Sequence, residues 1–344
     1  MAPYSTSKLL IPLVAFGLIL APGRSASARD RADWLKDARY GIMVHFLPAG
    51  PEWEKAVDDF DVAAFADDAK AAGAKYVLFT LGQNSGYYCS PNATYERLTG
   101  YREHERCSRR DLPMELADAL SKRGLRLMLY LPSRSPQQDR KAMAGLSDVG
   151  EWEPAPQEFT RKWSDVIREW SLRYGRKASG WWFDGAYNTR GWDDPAQPQS
   201  WKTWAAAARA GNPESILAFN PGLNWRRGQP RARETVAFRR LSDEQDYTAG
   251  EQENWGATPK EDPAPEGVQW HGFSYLGSNW GQADGPKLSD KKMVAYVRKV
   301  NAEGGAVTID VGLGRHVDDA GKRHVICRNH LAQLNALAGA TGER

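Results

Sequence analysis

Short apolar runs alternate with amphipathic stretches along most of this 344-residue chain. Strand-like runs begin near residues 40, 76, 125, 181, 215, 268 and 306, with a weaker candidate just before residue 246. Stretches with helical spacing lie between them, such as 62–72, 112–123, 157–174 and 289–301. Because alternating strands and helices build parallel βαβ units, the pattern predicts an α/β fold, a single-domain (β/α)8-type barrel. A doubly wound open sheet is the alternative, but no glycine-rich phosphate fingerprint follows the first strand.

The first 28 residues have the pattern of an export signal. Lys8 precedes an apolar run at residues 9–20, and Ala26 and Ala28 supply the small residues of a cleavage site. The sequence therefore predicts a signal peptide at residues 1–28 and a catalytic barrel domain at 29–344. The run is too short for a comfortable membrane span. We expect a secreted or periplasmic protein with no membrane helix after the signal is removed.

The charge of the chain argues against a nucleic-acid partner. Its 46 Lys and Arg nearly balance 43 Asp and Glu, for a net charge of +3. The one arginine-rich stretch, at residues 226–233, is more typical of a solvated loop. Neither Cys-x-x-Cys nor His-x-x-x-His spacing occurs, so neither a metal nor a cofactor is predicted.

Three cysteines fit an exported protein in different ways. Cys89 and Cys107 bracket a polar loop, and a disulfide between them is predicted, which would stabilise the fold by roughly 3 kcal/mol. Cys327 lies in an apolar pattern at residues 325–337 that predicts a helix. We expect its thiol to be buried and inert.

The run GWWFDG at residues 180–185 is the strongest candidate for chemistry. It predicts a buried strand that ends at Asp184, followed by a glycine that turns the chain. An Asp before Gly commonly caps a turn. However, the carboxyl ends of parallel barrel strands carry active sites, and a Trp face such as that of Trp182 beside a carboxylate suits a sugar.

Polar and aromatic residues near the other strand ends extend this candidate site. The polar residues are His45, Gln83, Asn84, Tyr130, Asn220, Asp246, Glu251, His271 and Asp310. The aromatic residues are Trp53, Tyr87, Tyr88, Trp255, Trp270 and Trp280. Aromatic rings stack on the apolar faces of sugars while amides and carboxylates bind hydroxyls, so the expected partner is a carbohydrate. We expect about half of the 14 tryptophans to fill the core instead.

Seven sequence runs also stand in the order found in one known family. They are WLKDARYGIMVHF at 34–46, EW at 52–53, AKYVL at 74–78, GLRLMLY at 124–130, WFDG at 182–185, NWG at 279–281 and GGAV at 304–307. Together they resemble the α-L-fucosidases of glycoside hydrolase family 29. The resemblance covers nearly all of residues 29–344 and implies that Asp184 is the nucleophile. It also favours a sugar-binding role for His45, Glu52, Trp53, Tyr130, Trp182 and Trp280.

A retaining glycosidase needs a second carboxyl group that first protonates the leaving oxygen and then activates water. Acidic residues in the loop-rich stretch after the fifth strand are candidates, and Glu251 is preferred over Glu253. An acid in this role needs a dry neighbour that raises its pKa, and Trp255 could supply one. Either carboxylate could instead be a solvated loop acid.

The chain departs from the family at several positions. Gln83 and Asn84 stand where the family usually has two histidines, and His271 stands where it has a glutamate. Pro221 follows Asn220 where an arginine is common, and the C-terminal β-sandwich of many members is not found. We therefore expect weak activity on a plain aryl α-L-fucoside. A glycosidase of different sugar specificity and a non-catalytic carbohydrate-binding protein remain the alternatives.

Overall fold

The computed structural model describes residues 28–223 and 235–342. The predicted signal peptide, apart from Ala28, and the arginine-rich stretch lie outside these ranges, so both stay predictions. The described α-helices, α1 to α10, are Ala28–Ala38, Trp53–Asp58, Val62–Ala71, Ala93–Thr99, Leu112–Ser121, Arg140–Leu146, Gln157–Tyr174, Trp201–Ala208, Asp290–Ala302 and Arg328–Thr341. The described strands, β1 to β9, are Tyr40–Val44, Tyr76–Thr80, Arg126–Pro132, Ala178–Asp184, Ile216–Phe219, His271–Tyr275, Ala306–Asp310, Leu313–Val317 and Arg323–Ile326.

Seven parallel strands form the central sheet, in the order β5-β4-β3-β2-β1-β7-β6. The predicted α/β barrel-type fold is confirmed, since helices follow most of these strands as parallel connections require. All seven carboxyl ends lie at one edge of the sheet. None of the helices in the described ranges combines the length and the apolar character needed to cross a membrane.

An irregular segment, residues 245–252, occupies the place of an eighth strand between β5 and β6. The Asp246 N–H donates to Leu217 O of β5 at 2.9 Å, and the Gln252 N–H donates to Phe273 O of β6 at 2.9 Å. Gly250 explains why the pairing is irregular: its φ is +70°, and a Cβ there would lie 1.9 Å from His271 O. Only glycine allows this close approach. The weak eighth strand of the sequence is therefore a bridging segment.

The aromatic run of β4 divides its side chains between two cores. Trp181 and Phe183 face the helical layer, where Phe183 meets Trp204 with ring centroids 5.3 Å apart. Trp182 points the other way and stacks on Tyr130 of β3 at 5.4 Å. This alternation follows from the two-residue period of a strand. It leaves Trp182 inside the sheet curvature, two residues before Asp184.

The predicted disulfide is wrong, because Cys89 and Cys107 are both free, buried thiols. The Cys89 thiol donates to Thr80 O at 3.2 Å, while the Cys107 thiol contacts Asn92 O at 3.8 Å. Backbone hydrogen bonds close the loop instead, from Tyr88 N to Arg106 O at 2.8 Å and from Ser108 N to Tyr88 O at 2.9 Å. Burial raises the pKa of both thiols and keeps them unreactive.

The thiol of Cys327 is buried, as predicted, but the helix predicted around it begins later. Val325 and Ile326 belong to β9, which pairs antiparallel with β8, and α10 begins at Arg328. The buried carboxylate of Asp68 on α3 explains the difference. Its Oδ2 accepts hydrogen bonds from the N–H groups of Val325 and Ile326 at 2.8 and 3.1 Å, which holds this backbone extended.

A second buried carboxylate, that of Asp246, fixes the bridging segment. Its Oδ1 accepts from Arg31 at 2.9 Å, and its Oδ2 accepts from Arg209 at 2.7 Å and from the Leu217 N–H at 2.8 Å. The side chain of Asp246 has no exposed surface. These contacts connect α1, the end of α8 and β5 to the segment that carries Glu251. Asp246 is therefore a buried structural residue.

We expect Asp246→Ala to lower the free energy of unfolding by about 3–5 kcal/mol, because it leaves two arginine side chains without their buried partner. Urea denaturation of the purified protein measures this. Asp243→Ala is the matched control, since the Asp243 side chain is 95% exposed and pairs with Arg240 at the surface. Equal stability of the two variants would contradict the role given to Asp246.

Candidate active site

A pocket of about 380 Å³ opens at the carboxyl edge of the sheet. Its lining residues are His45, Leu47, Gln83, Tyr130, Trp182, Asp184, Tyr187, Glu251, Phe273, Asn279 and Trp280. Seven residues predicted from the sequence are among them: His45, Gln83, Tyr130, Trp182, Asp184, Glu251 and Trp280. The structure thus brings these seven residues together, at the place where parallel barrels carry their sites.

The side chain of Asn220 joins the two candidate catalytic carboxylates. Asp184 is the last residue of β4, Asn220 directly follows β5, and Glu251 lies on the bridging segment. The Asn220 Nδ2 donates to Asp184 Oδ1 at 2.8 Å and to Glu251 Oε2 at 2.7 Å. These two oxygens are therefore at most about 5.5 Å apart, the range in which two carboxyl groups serve one anomeric carbon.

The other oxygen of Asp184 accepts a hydrogen bond from a tyrosine. Tyr130 donates to Asp184 Oδ2 at 2.6 Å, and its own hydroxyl oxygen accepts from Gln83 Nε2 at 2.6 Å. Burial, together with the charge of Asp184, raises the pKa of Tyr130 well above its usual value, so the phenol remains a donor. Each oxygen of Asp184 is thus held by one donor, which fixes the orientation of the carboxylate.

His45 adds an imidazole whose protonation is set by its neighbours. Its Nδ1 lies 2.9 Å from Asp310 Oδ1, and Asp310 Oδ2 accepts from the Gly281 N–H at 2.6 Å. Burial disfavours the charged ring, but Asp310, with smaller effects of Asp184 and Glu251, outweighs it and raises the pKa of His45. The Gly281 contact also places Trp280, whose ring centroid lies 5.7 Å from that of His45.

His271 is not brought to the pocket, although the sequence predicts a substrate-binding role for it. It is the first residue of β6 and therefore lies at the amino edge of the sheet. Its Nδ1 lies 3.1 Å from Thr248 O and its Nε2 lies 2.6 Å from Thr308 Oγ1. Burial lowers its pKa to about 4. Its contacts are those of a neutral histidine that supports the bridging segment.

Three other predicted binding residues lie outside the pocket lining. Glu52 is an exposed residue at the start of α2, and Trp53 is buried against Tyr87 with ring centroids 5.0 Å apart. Asn84 accepts a hydrogen bond from Gln138 N at 3.0 Å through its backbone carbonyl. The structure therefore places none of these three residues in the pocket lining.

Glu253, the alternative acid, and Trp255, the predicted aromatic neighbour of the acid, also lie outside the pocket lining. Glu253 does not line the pocket, and its backbone carbonyl contacts Lys287 Nζ. The Trp255 indole N–H donates to Tyr275 O at 3.1 Å, and its ring packs on Tyr296 at 5.4 Å. The position of Glu251 therefore favours it over Glu253 as the partner of Asp184.

Some features of the site are not predicted from the sequence. The sequence places Asn220 at a strand end but does not reveal that one amide meets two carboxylates. Tyr187, Phe273 and Asn279 were not candidates. Tyr187 lies three residues after Asp184, and this closeness to the WFDG run is the one signal that could have found it. Within residues 28–223 and 235–342, no group of three His, Cys, Asp or Glu side chains is arranged to hold a metal ion.

A carboxylate pair and aromatic walls at the carboxyl edge of a parallel barrel define a site of the glycoside hydrolase class. The sequence model of the α-L-fucosidase family matches residues 37–336. The chain therefore belongs to the α-L-fucosidase family. No curated protein sequence matches it.

Solved structures with the same fold include fucoidan hydrolases and a fucosidase. A variant of the endo-fucoidan hydrolase MfFcnA4, from glycoside hydrolase family 107, has 20% identity and a TM-score of 0.63, covering 89% of this chain and 53% of its own. The family 107 enzyme P5AFcnA has 17% identity and a TM-score of 0.64. The match covers 90% of this chain and 92% of the P5AFcnA chain. A variant of the α-L-fucosidase AlfC in complex with a fucosyl-N-acetylglucosamine has 18% identity and a TM-score of 0.59. The match covers 91% of this chain and 98% of the AlfC chain. This chain thus spans about half the length of the MfFcnA4 chain.

The raised pKa of His45 predicts a pH-dependent contribution to stability. The folded protein holds the imidazole proton more tightly than the unfolded chain, so the stabilisation is present below about pH 6.5 and is lost as the pH rises through the raised pKa. The difference in free energy of unfolding between wild type and His45→Gln should therefore be larger at pH 6 than at pH 9. Urea denaturation at both values measures it, and a difference that grows towards pH 9 would contradict the account.

Proposed function

We propose that this protein is a retaining glycoside hydrolase that releases a terminal α-L-fucose-like sugar from a glycan. The observation that carries the proposal is the Asn220 amide, which holds the carboxylates of Asp184 and Glu251 within about 5.5 Å of each other. Inverting enzymes need a wider gap to accommodate a water molecule. Membership of the α-L-fucosidase family supports the sugar class.

The reaction has two steps. In the first, Asp184 attacks the anomeric carbon while Glu251 donates a proton to the glycosidic oxygen, so the C–O bond breaks and the leaving group departs as an alcohol. In the second, Glu251 removes a proton from water, the water oxygen attacks the anomeric carbon, and the ester bond to Asp184 breaks. Two inversions give net retention.

The hydrogen bonds of the site suit these roles. The Asn220 N–H donates to Oε2 of Glu251, so the acidic proton is carried on the other oxygen, Oε1. Tyr130 and Asn220 hold both oxygens of Asp184 before substrate binds, so little reorganisation is needed for attack. Trp182 and Trp280 supply the apolar walls on which a sugar ring can pack.

We expect Asp184→Ala to lower kcat on any cleaved glycoside by about 10³-fold or more, because the covalent step is lost. Added azide should restore turnover by attacking in place of the carboxylate and should yield the glycosyl azide of inverted configuration. Asp165→Ala, on the exposed face of α7, is the control and should behave as wild type. A variant at Asp184 with unchanged kcat would sink the assignment.

A glycosidase of altered sugar specificity is the second candidate, and the position of Gln83 favours it. The Gln83 amide lies in the pocket wall where the family usually has an imidazole, and one of its N–H groups is committed to Tyr130. An amide and an imidazole offer different donors and acceptors, and a pocket built on hydrogen bonds rejects a mismatched hydroxyl strongly. The neighbouring Asn84 lies outside the lining, so the effect is assigned to Gln83 alone.

If Gln83 alone sets the specificity, the variants Gln83→His and Asn84→His should differ in activity. We expect wild-type activity on an aryl α-L-fucoside to be weak, and Gln83→His to raise kcat/KM on that substrate, because an imidazole then faces the sugar. Asn84→His is the matched control and should leave kcat/KM unchanged. Steady-state kinetics measures both. Efficient wild-type hydrolysis of the fucoside, or a larger gain from Asn84→His, would contradict the role of Gln83.

A further inference from the structure

Two large aromatic side chains beside the pocket lie in water and stack on each other. Trp152 and Tyr187 keep 49% and 38% of their surface exposed, and their ring centroids are 4.8 Å apart with 11° between the planes. Most large apolar side chains of the described residues are buried. Exposed aromatic surface next to a binding site marks a place where part of a ligand packs. We call this stacked pair the aromatic platform.

Both rings of the platform are held in place. The Asn188 Nδ2 donates to Trp152 O at 2.8 Å, which ties the two loops together. Tyr187 lies against Gly222, whose φ is +73° and where a Cβ would lie 2.6 Å from the Tyr187 Cε1. Because the rings are already ordered, binding a ligand there costs little side-chain entropy.

The loop that carries Trp152 rests on a buried ion pair. The side chains of Arg134 and Asp148 are 2% and 0% exposed and contact each other directly. Arg134 Nη1 also donates to Glu153 O at 2.7 Å, and Asp148 Oδ1 accepts from the Gly150 N–H at 3.1 Å. These contacts lie on both sides of Trp152 in the chain. The platform is therefore part of the rigid scaffold.

The aromatic platform extends from the pocket lining to the protein surface. Tyr187 lines the pocket, whereas Trp152 does not. The charge of Asp184, with burial and the charge of Glu251, raises the pKa of Tyr187, which agrees with a position beside both carboxylates. A sugar whose anomeric carbon faces Asp184 fills the pocket, so the group beyond the glycosidic oxygen must extend towards the mouth.

We propose that Trp152 and Tyr187 form a leaving-group subsite that stacks on an uncharged pyranose attached to the cleaved sugar. The proposal rests on the proposed function and adds the class of leaving group. The C–H face of a pyranose packs on aromatic rings, and the parallel stack of Trp152 and Tyr187 leaves exposed aromatic surface for such a contact.

Charge argues for an uncharged sugar at this place. Glu151 precedes Trp152 and lies close enough to Asp184 and Tyr187 for their charges to interact. Glu151 and Asp184 are therefore two carboxylates beside the platform, and the third acidic group, Glu251, carries the proton that it donates to the leaving oxygen. Within the described residues of these two loops, the exposed cation is Arg190, whose Nε donates to Asn188 Oδ1 at 3.4 Å. The described side chains around the platform would therefore present net negative charge to a sulfate ester on the leaving group.

Binding to an inactive background tests the subsite without turnover. In Asp184→Ala protein, isothermal titration calorimetry measures Kd for free L-fucose and for a fucosyl disaccharide with an N-acetylglucosamine leaving group. Adding Trp152→Ala should raise Kd for the disaccharide about tenfold and Kd for fucose less than twofold. Trp152→Phe should recover most of the loss. Leu172→Ala, which removes an exposed side chain on α7, should change neither Kd.

Each other outcome overturns a defined part of the proposal. Equal weakening of both ligands by Trp152→Ala would show that Trp152 only supports the pocket. A disaccharide whose N-acetylglucosamine carries a sulfate should bind about fivefold more weakly, with the gap reduced in Glu151→Gln; tighter binding would overturn the preference for an uncharged sugar. Wild-type protein that binds the unsulfated disaccharide at the platform without hydrolysing it would contradict the proposed function and leave the subsite standing. Failure to bind either ligand at millimolar concentration would overturn both.

Discussion

The pocket depends on one side-chain amide placed between two carboxylates. Asn220 has two N–H groups, and each is used by a different acid, Asp184 on one side and Glu251 on the other. The amide is neutral, so it sets the spacing of the acids without cancelling their charges. This arrangement requires β4, β5 and the bridging segment to end at the same depth. The rest of the architecture holds the ends of β4, β5 and the bridging segment at this common depth.

The bridging segment is the least regular of the three parts and has the most elaborate support. Buried Asp246 ties its beginning to β5 and to two arginines, while Gly250 allows its backbone to approach β6 where a side chain would collide. At the amino edge of the sheet, His271 contacts the segment through the backbone carbonyl of Thr248. An irregular segment with buried polar anchors can place a carboxylate where a regular strand, with its fixed alternation, could not.

The sequence predicts the regular parts of the molecule well, because local pattern decides them. Helix α7 runs from Gln157 to Tyr174 as the spacing indicates, and β4 delivers Asp184 at its carboxyl end. The failures are residues whose state depends on distant partners. Val325 is held in a strand by Asp68 across 257 positions. Cys89 and Cys107 remain thiols, each directed at a different backbone carbonyl. The sequence predicts His271 at the carboxyl end of its strand, whereas it begins β6, whose start has no clear local signal.

The central claim is that Asp184 forms a covalent bond to the sugar while Asn220 keeps Glu251 beside it. A 2-deoxy-2-fluoro-α-L-fucosyl fluoride tests it most directly. Its 2-fluorine slows formation and hydrolysis of the intermediate, whereas its reactive anomeric fluoride leaving group speeds formation alone, so the intermediate accumulates. Mass spectrometry of the treated wild-type protein should show one added fluorosugar, and peptide mapping should place it on Asp184. Label on another carboxylate, or inhibition without any covalent adduct, would contradict the account.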